Sequence, residues 1–205
     1  MTYEKLCENL LYGLFGRRFR PITGLANLPN GTFIVAVNHI DWLDGLLLTV
    51  ALTKAFGDRQ FQFVARTNNW WILGDHYIRI DPTAPGQSLV QAKQAIQRNR
   101  NIGFFIEGAR NNTTRLLPGK TGCARLALLT GLPVVPIGLM GPSHRSTIQA
   151  IIRLPSILDQ LRIQIGEPMS FTKLPENEID RALLDTKTRV IMEKIGGLCG
   201  KTTFN

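Results

Sequence analysis

The strongest constraint in this chain is the regular exchange of two hydrophobic periods. Short runs rich in β-branched and aromatic residues, at 33–37, 61–65, 77–80, 102–106, 134–139 and 161–165, read as strands. Segments 42–56, 88–97, 120–130 and 176–195 read as helices, the third stopped by Gly131. Strands separated by helices argue for a mostly parallel mixed sheet flanked by helices on both faces, so the fold class is α/β. In such sheets reactive groups gather in loops at the carboxyl ends of strands. That rule singles out the residues just after Val37, just after Ile106 and just after Leu139. The segment 132–137 carries Pro133 and Pro136, which suits an edge strand or a channel wall better than a central ladder.

The 205 residues suit one compact domain. No apolar run approaches the roughly 20 residues that a membrane-spanning helix needs. Glu4, Lys5 and Glu8 break up any secretory signal. Cys7, Cys123 and Cys199 are widely spaced and odd in number, which points to reduced thiols rather than a disulfide or metal framework. The net charge of +9, spread along the chain, favours an anionic partner: a phosphorylated metabolite, a membrane surface or nucleic acid. No aromatic-basic recognition module accompanies it, so nucleic acid is not an expected partner.

At the N-terminus, Tyr3, Leu6, Cys7, Leu10, Leu11, Leu14 and Phe15 form a helical stripe followed by Arg17, Arg18 and Arg20. Such a stripe either packs on the core or lies in a lipid interface with its arginines on head groups. The second reading divides the chain into an amphipathic membrane-associating helix at 1–20 and a domain at 21–205.

The chemistry concentrates after the first long strand, in Asn38-His39-Ile40-Asp41-Trp42-Leu43-Asp44. A histidine that takes a proton from an alcohol needs a lone pair on one ring nitrogen and a proton on the other. A carboxylate accepting that second N–H fixes the tautomer and stabilises the imidazolium. Asp41 and Asp44 both stand close enough along the chain, and either also suits the start of the next helix. A second element, Phe105-Ile106-Glu107-Gly108-Ala109-Arg110, leaves a strand through a glycine. One tight turn then presents a carboxylate and a guanidinium, and arginine matches phosphate bidentately. Further on, Pro118-Gly119-Lys120-Thr121-Gly122 opens a helix whose free N–H groups and lysine suit another phosphate.

These segments, in this order, resemble the lysophospholipid acyltransferase family over about residues 33–139. Asn38, His39 and Asp44 match its Asn-His-(four residues)-Asp motif. Phe105, Glu107, Gly108 and Arg110 match its Phe-Pro-Glu-Gly-Thr-Arg motif, with Ile106 and Ala109 in place of proline and threonine. Residues 132–137 match its Val-Pro-Val-Val-Pro-Val motif. The run Gly74–Ile80 departs from the remaining motif by one place at Arg79, which leaves Arg66 as a reserve for that role; one residue along a strand reverses the face a side chain takes.

The resemblance implies a glycerol-3-phosphate acyltransferase-like fold and a metal-free acyl transfer to lysophosphatidic acid, giving phosphatidic acid. His39 is then the general base and Asp44 its orienting carboxylate. Asn38, Glu107, Gly108, Arg110, Lys120 and Arg79 bind substrate, with Asn38 or a backbone N–H as oxyanion donor. No cofactor is implied; acyl-CoA or acyl-carrier protein is the co-substrate. The implied location is the cytoplasmic face of a membrane, as a peripheral or monotopic protein. Residues 70–73, two of them tryptophan, suit an acyl groove or the core. His76 is expected at the surface and His144, with no carboxylate near it in sequence, in a structural role. Two alternatives keep part of the chemistry: a different acceptor, such as glycerol 3-phosphate, another lysophospholipid or a non-phosphate lipid, or water in a thioester hydrolase.

Overall fold

The computed structural model describes residues 22–56, 61–65, 77–84, 86–144 and 146–203. The expected helix at 1–20, Arg66, residues 70–73 and His76 lie outside them.

Seven strands form one mixed sheet: β1 (Ile22–Thr23), β2 (Ile34–Val37), β3 (Phe61–Ala65), β4 (Tyr77–Arg79), β5 (Asn101–Phe105), β6 (Val134–Met140) and β7 (Arg162–Ile165), in the spatial order β1-β7-β6-β2-β5-β3-β4. The five strands from β6 to β4 are mutually parallel, and β7 runs antiparallel to β6. Among the described residues six helices flank the sheet: α1 (Asp44–Phe56), α2 (Gln87–Gln97), α3 (Gly122–Thr130), α4 (Thr147–Ile152), α5 (Leu154–Gln160) and α6 (Arg181–Cys199).

Strand β2 shows why both faces need cover. All four of its residues are buried, with Ile34 and Ala36 in the cluster that includes α2, α3 and α6. Val35 and Val37 join the opposite cluster, which is completed by α1 and α5. A strand apolar at every position has no face to offer water, so it takes the centre.

The sheet corrects the expectation of an edge for 132–137. Strand β6 lies between β7 and β2. The proline is tolerated there because of where its missing donor falls. The Pro136 carbonyl accepts from Gly166 N–H (2.9 Å), so its nitrogen also faces β7. That is the end of the β6–β7 ladder, whose registered pairs begin at Ile137. The expected helix at 176–195 is likewise redrawn: a 3-10 turn at Glu176–Glu178 precedes α6, and Asp180 caps α6 by accepting Leu183 N–H (2.7 Å). Gly200 ends α6 at φ 68°, the left-handed geometry that glycine adopts without strain. The structure adds α4 and α5, two helices too short for a hydrophobic period in the sequence to mark them.

Among the described residues no helix is long and apolar enough to cross a membrane.

Candidate active site

Register decides what meets at the carboxyl end of the sheet. Val37 is paired with Phe105 on one side and Ile137 on the other. The loops that follow β2 and β5, together with the end of β6, therefore start side by side, as the strand-end rule requires.

The His39 loop is fixed from three directions. On the β6 side, the Asn38 amide makes a reciprocal pair with Leu139, donating to its carbonyl (3.0 Å) and accepting its N–H (2.7 Å). On the β5 side, His39 N–H donates to Glu107 Oε1 (3.2 Å), and the His39 carbonyl accepts from Asn111 N–H (2.7 Å). The third hold is on the ring. His39 Nδ1 lies 2.8 Å from Asp44 Oδ2, and the ring stacks on Phe105 at 4.2 Å between centroids. The His39 side chain keeps 20% of its surface open, against 1% for Asp44. With Nδ1 engaged, Nε2 is the nitrogen left to take a proton.

Of the two candidate carboxylates, Asp44 is the one brought to His39. Its Oδ2 also accepts the N–H groups of Ile40 (2.6 Å) and Asp41 (2.8 Å), so the chain curls around a single buried oxygen. Burial pushes the Asp44 carboxyl above its ordinary value of 3.8, although the bond and charge of His39 and the two N–H groups pull the other way. Asp41 turns elsewhere: its Oδ2 accepts both the N–H (2.7 Å) and the ring Nδ1 (2.8 Å) of His144. The carboxylate that His144 lacks in sequence thus arrives from 103 residues away.

Two residues expected to touch substrate are engaged otherwise. Glu107 is 2% exposed, and its oxygens hold His39 N–H, Leu117 N–H (2.8 Å) and the Asn111 amide (2.6 Å). It braces the loop that carries the histidine and has no open face for a glycerol hydroxyl. Asn38 is fully buried with its amide committed to Leu139, so an oxyanion donor has to come from another group. Neither role was visible locally, because the Leu139 partner of Asn38 and the His39 partner of Glu107 lie 101 and 68 residues away in sequence.

Arg110 and Lys120 are both exposed. The Arg110 guanidinium carbon sits 3.3 Å from the centroid of the Trp42 ring, and its donors have no hydrogen-bond partner among the described residues. Stacking holds the guanidinium and leaves its edge for an anion. Gly108 takes φ 70°, and a Cβ there would come within 3.1 Å of the Lys120 side chain. Its missing side chain lets Lys120 lie across the same turn as Arg110. Arg79 stands apart, exposed at the end of the edge strand β4, three strands from β2, where it helps hold the Asp81 carboxyl below its usual range behind the larger effect of Thr83.

Sequence reasoning missed Trp42 and Tyr77 as parts of this site. Tyr77 runs under the first turn of α1, where a Cβ on Gly45 would fall 2.1 Å from its hydroxyl. Burial, with the nearby Asp44 charge second, raises its phenol to about 12. Rings then continue from Tyr77 to Phe63 (6.4 Å), Phe105 (5.3 Å) and His39. No local signal marks Tyr77; its role comes from the α1–β4 contact. Cys123 and Cys199 are free and buried, with burial raising both thiols, so neither is poised as a nucleophile. No group of three or more metal-binding side chains occurs among the described residues.

Comparison with known proteins places this geometry in context. The profile of the acyltransferase family matches residues 20–140. The chain is 32% identical over 173 residues to the chloroplastic 1-acyl-sn-glycerol-3-phosphate acyltransferase BAT2 of Brassica napus, covering 73% of this chain and 50% of that protein. A 1-acyl-sn-glycerol-3-phosphate acyltransferase of Cocos nucifera is 28% identical over 153 residues, covering 68% of this chain and 49% of its own length. The chain thus spans about half the length of these relatives. Among solved structures, the 1-acyl-sn-glycerophosphate acyltransferase PlsC of Thermotoga maritima superposes with a TM-score of 0.56 at 21% identity, over 95% of this chain and 79% of that one. At that identity the likeness speaks for a shared fold.

Proposed function

The chain belongs to the acyltransferase family, and on that premise we propose that it moves a fatty acyl group from a thioester donor to the free hydroxyl of lysophosphatidic acid, yielding phosphatidic acid. The observation that carries this reading is the His39–Asp44 pair. An imidazole with one nitrogen bound to a buried carboxylate at 2.8 Å, and with a fifth of its surface open, is arranged to act as a base.

In the proposed reaction His39 Nε2 removes the proton of the acceptor hydroxyl. The oxygen attacks the thioester carbonyl, the tetrahedral adduct collapses, and the C–S bond breaks. The departing thiolate recovers the proton from the imidazolium. Asp44 holds Nδ1–H throughout and offsets the charge that forms on the ring. A thioester is an activated acyl group, so positioning and base catalysis supply the acceleration without an acyl-enzyme. The guanidinium edge of Arg110, left open by its stacking on Trp42, receives the acceptor phosphate together with Lys120 across Gly108. Acyl-CoA and acyl-carrier protein both fit as donors, the second being acidic and the chain cationic. We place the enzyme at a membrane surface, where its acceptor resides.

The test is mass spectrometry of the lipids formed from lysophosphatidic acid and mixed acyl-CoAs by wild type and His39→Ala. Phosphatidic acid made by wild type and lost in the variant supports the proposal. Free fatty acid released at full rate without acceptor points to a hydrolase instead. Equal turnover of phosphate-bearing and neutral acceptors, unaltered by Arg110→Ala, removes the phosphate role.

A further inference from the structure

Helix α4 turns an apolar face to solvent. Ile148, Ile151 and Ile152 are 70%, 58% and 71% exposed, while Ala150 is fully buried against the core. The three isoleucines fall three and four positions apart, hence on one helical face. Isolated exposed apolar residues are ordinary, but a clustered face on a six-residue helix marks a contact surface.

Two further observations say what covers it. The first is place. Ser146 caps α4 by accepting Gln149 N–H (3.3 Å), and His144 just before it is tied to Asp41, the neighbour of Trp42. Trp42 is itself 42% exposed and carries Arg110, so the loop that leads into α4 is fastened at the rim of the His39 site. The second is charge. Between Glu107 and Asp159 the sequence contains no acidic residue, whereas Arg110, Arg115, Lys120, Arg125, Arg145 and Arg153 fall inside that stretch. Arg153 directly follows the isoleucines and is exposed. Branched apolar side chains followed directly by an exposed arginine, in a stretch of sequence without a carboxylate, match the boundary between acyl chains and anionic head groups.

We propose that the Ile148–Ile151–Ile152 face of α4 docks on an anionic lipid surface and holds the mouth of the His39 site against it. This rests on the reading of the acceptor as a membrane lipid, and it is separate from any contribution of residues 1–20. A protein copy on the same face is the competing occupant.

The full chain is compared with the triple variant Ile148→Ser/Ile151→Ser/Ile152→Ser by co-sedimentation with phosphatidylcholine vesicles containing about 30% phosphatidylglycerol, a fraction that gives a clear negative surface potential. Wild type is expected to bind, and the variant to bind at least about tenfold more weakly with an unchanged thermal midpoint. Ile151→Trp, which keeps the face apolar, binds as well as wild type or better. The variant is also expected to keep turnover of a short-chain, monomeric lysophosphatidic acid while losing turnover of the long-chain lipid presented in vesicles. Equal vesicle binding by wild type and triple variant overturns the proposal, as does a wild-type dimer that the triple substitution converts to monomer. Vesicle binding that depends on the isoleucines in a protein that transfers no acyl group supports the surface and refutes the acceptor reading alone.

Discussion

Among the described residues, two histidine–aspartate pairs share nearly the same geometry. In each, Nδ1 lies 2.8 Å from a carboxylate oxygen, the aspartate side chain is 1% exposed, and the histidine keeps 20% or 16% of its surface. Their surroundings separate them. His39 is stacked on Phe105 and held by backbone bonds to the β5 loop, beside the turn that carries Arg110. His144 gives its backbone N–H and its ring to the same oxygen of Asp41, so that carboxylate clasps a loop. A His–Asp pair is therefore a component whose use depends on what stands next to the free nitrogen. In the proposed reaction the first presents a base to the acceptor hydroxyl; the second joins the residues before α4 to the His39 loop.

Substitutions test that division, beginning with the largest effect. His39→Ala is expected to lower acyl transfer by roughly 10³-fold or more, within the span of general-base contributions, whereas His144→Ala costs less than about tenfold. Initial rates on one acceptor decide, and comparable losses at both positions would end the distinction. Next comes Asp44→Asn. Its carbonyl can occupy the position of Oδ2 but leaves His39 without a counter-charge, so kcat is expected to fall roughly 10²-fold or more while KM changes little.

Stability should respond to Asp44→Asn in the opposite sense. Because the Asp44 carboxyl is raised above 3.8 in the fold, its proton linkage favours folding below that pH. The benefit is lost as pH rises through the folded value. The midpoint of Asp44→Asn relative to wild type is therefore expected to improve between pH 4 and pH 8. Thermal melts across that range measure it, and a relative decline would show that the hydrogen bonds outweigh desolvation.

Arg110→Ala, removing a charge-assisted contact to phosphate, is expected to raise KM for phosphate-bearing acceptors roughly tenfold or more. A neutral acceptor should be unaffected. The smallest effects are on stability alone. His144→Ala, which removes the ring bond to the buried Asp41 but keeps the backbone N–H on it, is expected to cost about 1 kcal/mol in denaturant unfolding. Gly45→Ala forces a methyl against the Tyr77 hydroxyl and is expected to cost about 1–3 kcal/mol. Adding Tyr77→Phe should restore most of that loss, and no recovery would mean that the crowding is relieved elsewhere.

Much of the fold was legible because local pattern carries it. The all-apolar run in β2, the stop at Gly131 and the strand at 61–65 all follow from side-chain period or backbone preference. Helices α4 and α5 escaped notice because each is short, they are separated by Arg153 alone, and Pro155 opens α5. At the site, His39 could be placed within reach of Asp41 and Asp44 because a few residues of tight turn return one side chain to the other, and the family resemblance pointed to Asp44. The work of Glu107, Asn38 and Tyr77 could not, since each acts on a group brought in by another strand or helix.

Sequence alone therefore established the alternation of elements, the nearness of His39 to two aspartates, and the turn that bears Gly108 and Arg110. These depend on interactions within a few residues, where the covalent chain leaves few arrangements. Folding settled which aspartate serves His39, sent the other to His144, placed the proline-bearing β6 in the sheet interior, and converted Glu107 into a brace. Those outcomes depend on strand order and register, which bring together groups from 68 to 103 residues apart.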